Sequence, residues 1–559
     1  MIKTKIVSSL EKVLLEDSFD SYKPLEYISA LRGERISFQI IHTFEYSRAD
    51  MDLWAMDHSY TKIEPEGELK DYISIRDVCN VGVERPTLAR SLTDEDYISK
   101  RPGLFPDVLR PLHMEGRISP SPYLLNTVWV EINIPENFKP GKQKLTFAFT
   151  DADGETTSLS LEIEIIDAVL PKDEIYYTQW FHTDSLANYY NVPVWSERHW
   201  EIIENFARVA VKNGINMLLT PVFTPPLDTE IGGERLTTQL VGVTKVGKDY
   251  SFDFALLDRW IDMCNRVGIK YFEINHFFTQ WGAKHAPKVM ATVDGEYKRI
   301  FGWETDAAAG EYGIFLRAFL SEFLIHMKKR GDDKRCFFHI SDEPHIQHTE
   351  SYKAAREIIS DLLDGYVIMD AISDYDFFKL GILDTPIPAN NHIEKFLENK
   401  VPGLWTYYCC AQLIGVSNRL IAMTSYRNRS IGFQMYKYDI VGFLQWGFNF
   451  YNNRHSHDSI NPYLQQDGDN WVPAGDAFSV YPERDGTALE SLRLVVFHEA
   501  LQDMKAMKLC ESFYGKDAVV KVIDDAMGLD VNFETCAKSA DTILSMREKI
   551  NTMIKNAVK

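Results

Sequence analysis

Positive charge is scarce in this chain: 60 Lys and Arg stand against 81 Asp and Glu, for a formal charge of −21. Phosphate backbones and anionic lipid are repelled by such a surface, so nucleic acid and membrane surfaces are excluded as expected partners and a neutral or small polar substrate is favoured. Long apolar runs are missing too. No stretch reaches the about 18 apolar residues that cross a bilayer, so no membrane insertion is expected. The amino terminus, "MIKTKIVSSLEKVLLEDSFD", lacks the apolar core and small-residue cleavage site of a secretory signal. Cysteine is sparse and odd in number, seven residues with no CxxC or zinc-ribbon spacing. Reduced, mostly buried thiols in a cytoplasmic protein are the expectation.

What the chain does have is aromatic rings, 13% of its residues, with tryptophans gathered in its middle and later parts. Sugars present flat C–H faces that stack on such rings, although packing alone also concentrates aromatics. Residues 1–168 read as a β-sandwich. "GERISFQIIHTF", "TVWVEINIPENF" and "QKLTFAFTDADGETTSLSLEIEIID" alternate apolar and polar positions between Gly, Pro, Asn and Asp turns.

From about Tyr176 short apolar strands alternate with amphipathic helices, the pattern of βα units. Eight strand segments are expected: 175–182, 215–222, 270–278, 336–341, 366–371, 385–389, 403–409 and 440–447. Eight units imply a (β/α)8 TIM barrel over 169–510, an α/β fold in which chemistry gathers at the carboxyl ends of the strands. Long insertions at 223–251, read as a hairpin, and at 448–487 lie where loops shape the site. Residues 511–559 read as a helical segment packed on the barrel.

The fourth strand, "CFFHISDEP", ends in two adjacent carboxylates, Asp342 and Glu343. Neighbouring acids repel and raise the proton affinity of at least one, which suits a general acid near neutral pH. The plainer alternative is a helix cap, for which Thr349 or His348 is better placed. A conventional glycosidase needs a second carboxylate across the sugar ring, often from strand 7, but "GLWTYYCC" offers none. If a conventional nucleophile exists, Glu273 or Asp370 must supply it. Otherwise the acetamido group of the substrate attacks the anomeric carbon, Asp342 holds its N–H, and Tyr407 reaches its oxygen.

"HISDEP", "WTYYCC", "GFLQWGFNFYN" and "GDAFSVYPERDGTALESLRLVVFHEALQD", in that order, resemble glycoside hydrolase family 123, the β-N-acetylgalactosaminidases. The resemblance covers nearly the whole chain. It implies a retaining exo-hydrolase that removes terminal β-linked N-acetylgalactosamine, as from glycosphingolipid glycans, by substrate-assisted catalysis without a cofactor or metal. By position Asp342 matches the residue that orients the acetamido group and Glu343 the general acid/base. Two departures stand out, "HEALQD" in the last barrel helix and Phe448 where a second Trp is more usual.

Trp180, His182, His276, Trp405, Tyr407, Trp446 and Asn449 are the expected substrate contacts, with Trp446 as the floor of the subsite. "RHSHD" (454–458) lacks the remaining ligands and the spacing of a hydrolytic metal site and is set aside. Rival readings are a β-N-acetylglucosaminidase, a two-carboxylate β-glycosidase, and a non-catalytic carbohydrate-binding protein.

Overall fold

The computed structural model describes residues 2–44, 60–87, 92–308 and 310–559. The chain forms two compact units, one of residues 1–174, 413–438 and 489–559, the other of 175–412 and 439–488.

The first unit holds the expected sandwich. One five-stranded sheet runs in the order Ile2–Ser8, Arg35–Phe44, Asn126–Asn133, Ile73–Val83, Gly103–Pro111, antiparallel throughout. The other orders Tyr27–Arg32, Thr156–Val169, Gly141–Thr150, Thr61–Glu66 and Arg117–Ile118. Alternation along each strand sends Ile36, Phe38 and Ile40 of one sheet against Leu145, Phe147 and Phe149 of the other, with Phe38 and Phe147 meeting edge to face at 5.9 Å. The carboxyl-terminal helices belong to this unit. Ala540–Ala557, expected to pack on the barrel, meets both the sandwich and the helix Leu492–Tyr514: Arg547 pairs with Glu34 and with Asp503 at 2.9 Å, Asn551 bonds Ser29, and Lys555 pairs with Glu164 at 2.6 Å. Polar residues of Ala540–Ala557 find their partners on both, which periodicity alone does not reveal.

The second unit contains all eight expected parallel strands, each three to five residues long: β1 (Tyr176–Gln179), β2 (Met217–Thr220), β3 (Tyr271–Ile274), β4 (Cys336–Phe338), β5 (Val367–Ala371), β6 (Thr385–Ile387), β7 (Trp405–Tyr407) and β8 (Gly442–Gln445). They run β6-β5-β4-β3-β2-β1-β8-β7, and the ring nearly closes where Ala389, just past β6, bridges Tyr407. Between them, helix α1 (Glu197–Lys212) is capped by the Ser196 side chain on the His199 N–H, and α2 (Ala255–Val267) ends in left-handed Gly268. Trp200, Ile203, Phe206 and Ala210 of α1, and Leu257, Trp260 and Cys264 of α2, are buried as their spacing requires.

The insertion after β2 does form a hairpin, but only over Gly242–Val246 and Asp249–Asp253. Two strands of the next insertion, Val289–Val293 and Glu296–Phe301, extend it to a four-stranded sheet. Phe252 of this sheet packs on Phe315 and Phe319 of α3 (Gly310–Arg330), anchoring the loops that shape the barrel mouth.

Candidate active site

Inward-facing side chains of the barrel lie in layers. At the amino-terminal ends of the strands Tyr176, Tyr271, Phe337 and Trp405 form an aromatic plug, with Trp405 stacked on Tyr176 at 5.4 Å and 6°. Gly442 on β8 makes room for it, since a Cβ there would fall inside the indole. Trp405 therefore packs at the end of the barrel away from the carboxyl termini, a correction to its expected place against the substrate. It points inward as expected, but it is the first residue of its strand.

One layer higher are charged groups. Glu273 of β3 accepts from the Thr178 hydroxyl, from Trp180 Nε1 at 2.7 Å and from His339 Nε2 at 2.8 Å. His339 Nδ1 lies 2.9 Å from Asp370 of β5, which also accepts from the Tyr352 hydroxyl at 2.5 Å and from the Ile340 and Ser341 N–H groups. Trp180, expected to meet the sugar, is 3% exposed with its N–H spent on Glu273. His276 is fully buried, stacks on His339 at 4.2 Å, and has no hydrogen-bond partner at either ring nitrogen. Burial holds it neutral, with its pKa well below the ordinary value. His276, His339 and Asp370 are the one grouping of possible metal ligands among the described residues. His339 is already committed to Asp370 and Glu273 by hydrogen bonds, however, and His276 only stacks on its ring.

At the carboxyl ends lies the acid pair. The helix that follows begins at Thr349, with His345 and His348 closing its entry, so the acids do not cap it. Glu343 adopts a left-handed backbone, φ 43°, a conformation that costs a non-glycine residue free energy and recurs at functional sites. That turn lets two consecutive residues share one mouth, which plain strand alternation forbids. Tyr407, ending β7, donates its hydroxyl to Glu343 Oε1 at 2.7 Å. Burial, then the facing charges of Glu343 and Asp228, hold the Asp342 carboxyl well above its usual range.

Two further acids complete the mouth, both outside the residues expected from sequence. Asp228, on the loop after β2, is pushed up to about 7 by burial, opposed by Arg235 and reinforced by Glu343 and Asp476. Asp476, in the insertion after β8, accepts from Trp446 Nε1 at 2.9 Å. Trp446 is half-buried in a ring cluster with Phe450 and Trp471 at 5.2 and 5.5 Å. Of the expected contacts, then, Tyr407 and Trp446 are tied to this mouth, Tyr407 by its bond to Glu343 and Trp446 through Asp476.

His182 and Asn449 take a supporting place instead. Asn449 clamps the backbone of residue 182, accepting from its N–H at 2.9 Å and donating to its carbonyl at 3.1 Å. The His182 ring lies between Arg235 (3.0 Å from Nδ1) and the Trp446 carbonyl (2.9 Å from Nε2). Because a guanidinium only donates, Nδ1 must accept and Nε2–H must donate to the carbonyl. Arg235 is buried and bidentate on Asp184, at 2.8 and 2.6 Å. These residues therefore brace the Trp446 loop. In sequence, Asp228 and Asp476 are acids in long loops after strands, a weak signal that becomes specific only when the loops converge.

The sequence matches the glycoside hydrolase 123 catalytic domain over residues 180–510. The chain belongs to this family. The fold of this family 123 hydrolase is similar to the solved structure of a family 123 glycoside hydrolase from Clostridium perfringens, described for glycolipid glycan hydrolysis. That match has TM-score 0.73 and 16% identity over 100% of this chain and 98% of the other. A Bacteroides ovatus family 5 xyloglucanase aligns far more loosely, with TM-score 0.28 and 8% identity over 89% of this chain and all of that one. No curated protein matches the hydrolase in a sequence comparison.

Proposed function

We propose that this hydrolase is a retaining exo-β-N-acetylgalactosaminidase acting on terminal sugars of glycans, including those of glycolipids, by substrate-assisted catalysis. The observation that carries the reading is the strand tip where Asp342 and Glu343 share one mouth, faced from β7 by the Tyr407 hydroxyl rather than by a carboxylate. Glu343 gives its proton to the glycosidic oxygen while the acetamido carbonyl of the substrate closes on the anomeric carbon. Asp342 accepts the acetamido N–H and stabilises the oxazolinium charge, and Glu343 then takes a proton from the incoming water. The mechanism needs Glu343 protonated and Asp342 ionised when the substrate reacts.

Glu273 and Asp370, the conventional nucleophiles considered from sequence, accept hydrogen bonds beneath the mouth and have no free approach to a sugar. This supports the substrate-assisted route. A second reading rests on Asp228: its carboxylate faces Glu343 and could act as nucleophile in a double displacement.

The tests are kinetic. With aryl β-N-acetylgalactosaminide, Glu343→Gln and Asp342→Asn should each lose orders of magnitude in kcat, and full activity in either would sink the assignment. A thiazoline analogue of the sugar should inhibit competitively. Labelling of Asp228 by a fluorosugar, without thiazoline inhibition, would move the mechanism to double displacement. The paired β-N-acetylglucosaminide measures the configuration preference.

A further inference from the structure

The charged layer beneath the acid pair has a proton count that the chemistry above does not use. Each oxygen of Glu273 accepts from a donor: Thr178 on one, Trp180 and His339 on the other. Asp370 likewise meets only donors, the Tyr352 hydroxyl at 2.5 Å and the Ile340 and Ser341 N–H groups at 3.2 and 3.4 Å, besides His339. Between them His339 is wholly buried, its two nitrogens 2.8 and 2.9 Å from the two carboxylates. A neutral imidazole carries one bare nitrogen, and here that lone pair would face an anionic oxygen at hydrogen-bond distance. A ring with both N–H groups satisfies both sides while leaving both carboxylates ionised.

We propose that His339 is a positioning residue, held as a doubly protonated imidazolium, whose fixed charge beneath the strand tip keeps Asp342 able to ionise for its work on the acetamido group. This rests on the reading of Asp342 and Glu343 given above.

The connection is short in sequence and in space. His339 precedes Asp342 by three residues on the same strand tip, and Asp370 holds the two N–H groups in between. The groups facing Asp342 are the anions Glu343, Asp228 and Asp370 and one cation, His339. Those facing His339 are Glu273 from β3, Asp370 from β5, and the neutral His276 stacked on its ring. Burial works against a charged ring, but the bonds to Asp370 and Glu273 prevail and push His339 up to about 10. Burial likewise lifts Asp370, and its bonds from His339, Tyr352 and Ser341 oppose that rise. Without the cation, three anions alone would act on Asp342, and the acid pair would hold its protons to higher pH.

Two measurements on the full-length protein test this. Nitrogen-15 NMR of histidine-labelled protein, with His339 assigned by its absence in His339→Gln, should show both ring nitrogens protonated at pH 8.5, far above the ordinary histidine range. A bare nitrogen at that pH overturns the proposal. The activity of His339→Gln on aryl β-N-acetylgalactosaminide should keep a bell-shaped pH profile with both limbs displaced upward, by roughly one pH unit. A profile reduced in height with its limbs unmoved would make His339 merely structural and also overturns it. Should His339→Gln not fold, Asp370→Asn supplies the NMR assignment, because it removes one anion while retaining an acceptor for the backbone N–H groups. The protonation state of His339 is read without turnover, so its failure is distinguishable from a failure of the glycosidase assignment, which the Glu343→Gln result decides.

Discussion

The Tyr407 hydroxyl donates to Glu343 Oε1 across 2.7 Å, joining the end of β7 to the end of β4 over the barrel mouth. In the proposed reaction this bond orients the acid. Tyr407→Phe removes the hydroxyl and keeps the ring packed, so folding stability should change little while kcat falls roughly 10- to 100-fold, the worth of a hydrogen bond to a group that becomes charged as its proton leaves. Steady-state kinetics with an aryl glycoside, beside a melting curve, checks both halves.

Glu343 carries its acid on a strained backbone, φ 43°. Glu343→Gly relieves that strain as it removes the acid, so the variant should be inactive yet at least as stable as the parent. Glu343→Val, β-branched and hostile to the left-handed region, should cost about 1 to 3 kcal/mol. Urea denaturation of the two variants orders them, and equal midpoints would contradict the argument.

Gly442 has Trp405 where a Cβ would sit. Even alanine there must displace the plug of Tyr176, Phe337 and Trp405. Gly442→Ala should lower stability by about 1 to 3 kcal/mol or more, as overpacking of a close-packed core does. Tryptophan fluorescence through a denaturant titration would report it.

His182 gives the barrel unit a sensitivity to acid. Burial, then the neighbouring Arg235, lowers its pKa to about 3. The unfolded chain takes up a proton near pH 6.5 that the folded chain refuses, so this contribution to stability is complete above pH 6.5. It is lost progressively as pH falls toward 3, at about 1.4 kcal/mol per pH unit. His182→Asn lacks that proton, and its stability should fall less steeply between pH 6.5 and 4. Parallel slopes for parent and variant would remove His182 as the cause.

Much of this was legible in the residues. Apolar runs of strand length, alternating with helices whose buried face recurs every three or four positions, mark the eight barrel strands, and all eight form. The acid pair could be singled out because two carboxylates closing an apolar strand require some cause beyond packing. Trp405 shows where such reasoning stops. It and Tyr407 are two residues apart and both point inward, but about 7 Å separates them along the strand. Which of the two stands at the mouth depends on where the neighbouring strands begin, a fact of register carried by other parts of the chain.

By itself, then, the sequence determined the strands, the sandwich faces and the position of Asp342 and Glu343, because periodicity and strand ends are local properties of the chain. Only the tertiary structure decided that Asp228 and Asp476 join them, that His182 and Asn449 brace one another, and that His339 lies between Glu273 and Asp370. The physical reason is one of range. Hydrogen bonds and charges act over a few ångströms, and those few ångströms join residues tens to hundreds of positions apart once the barrel forms.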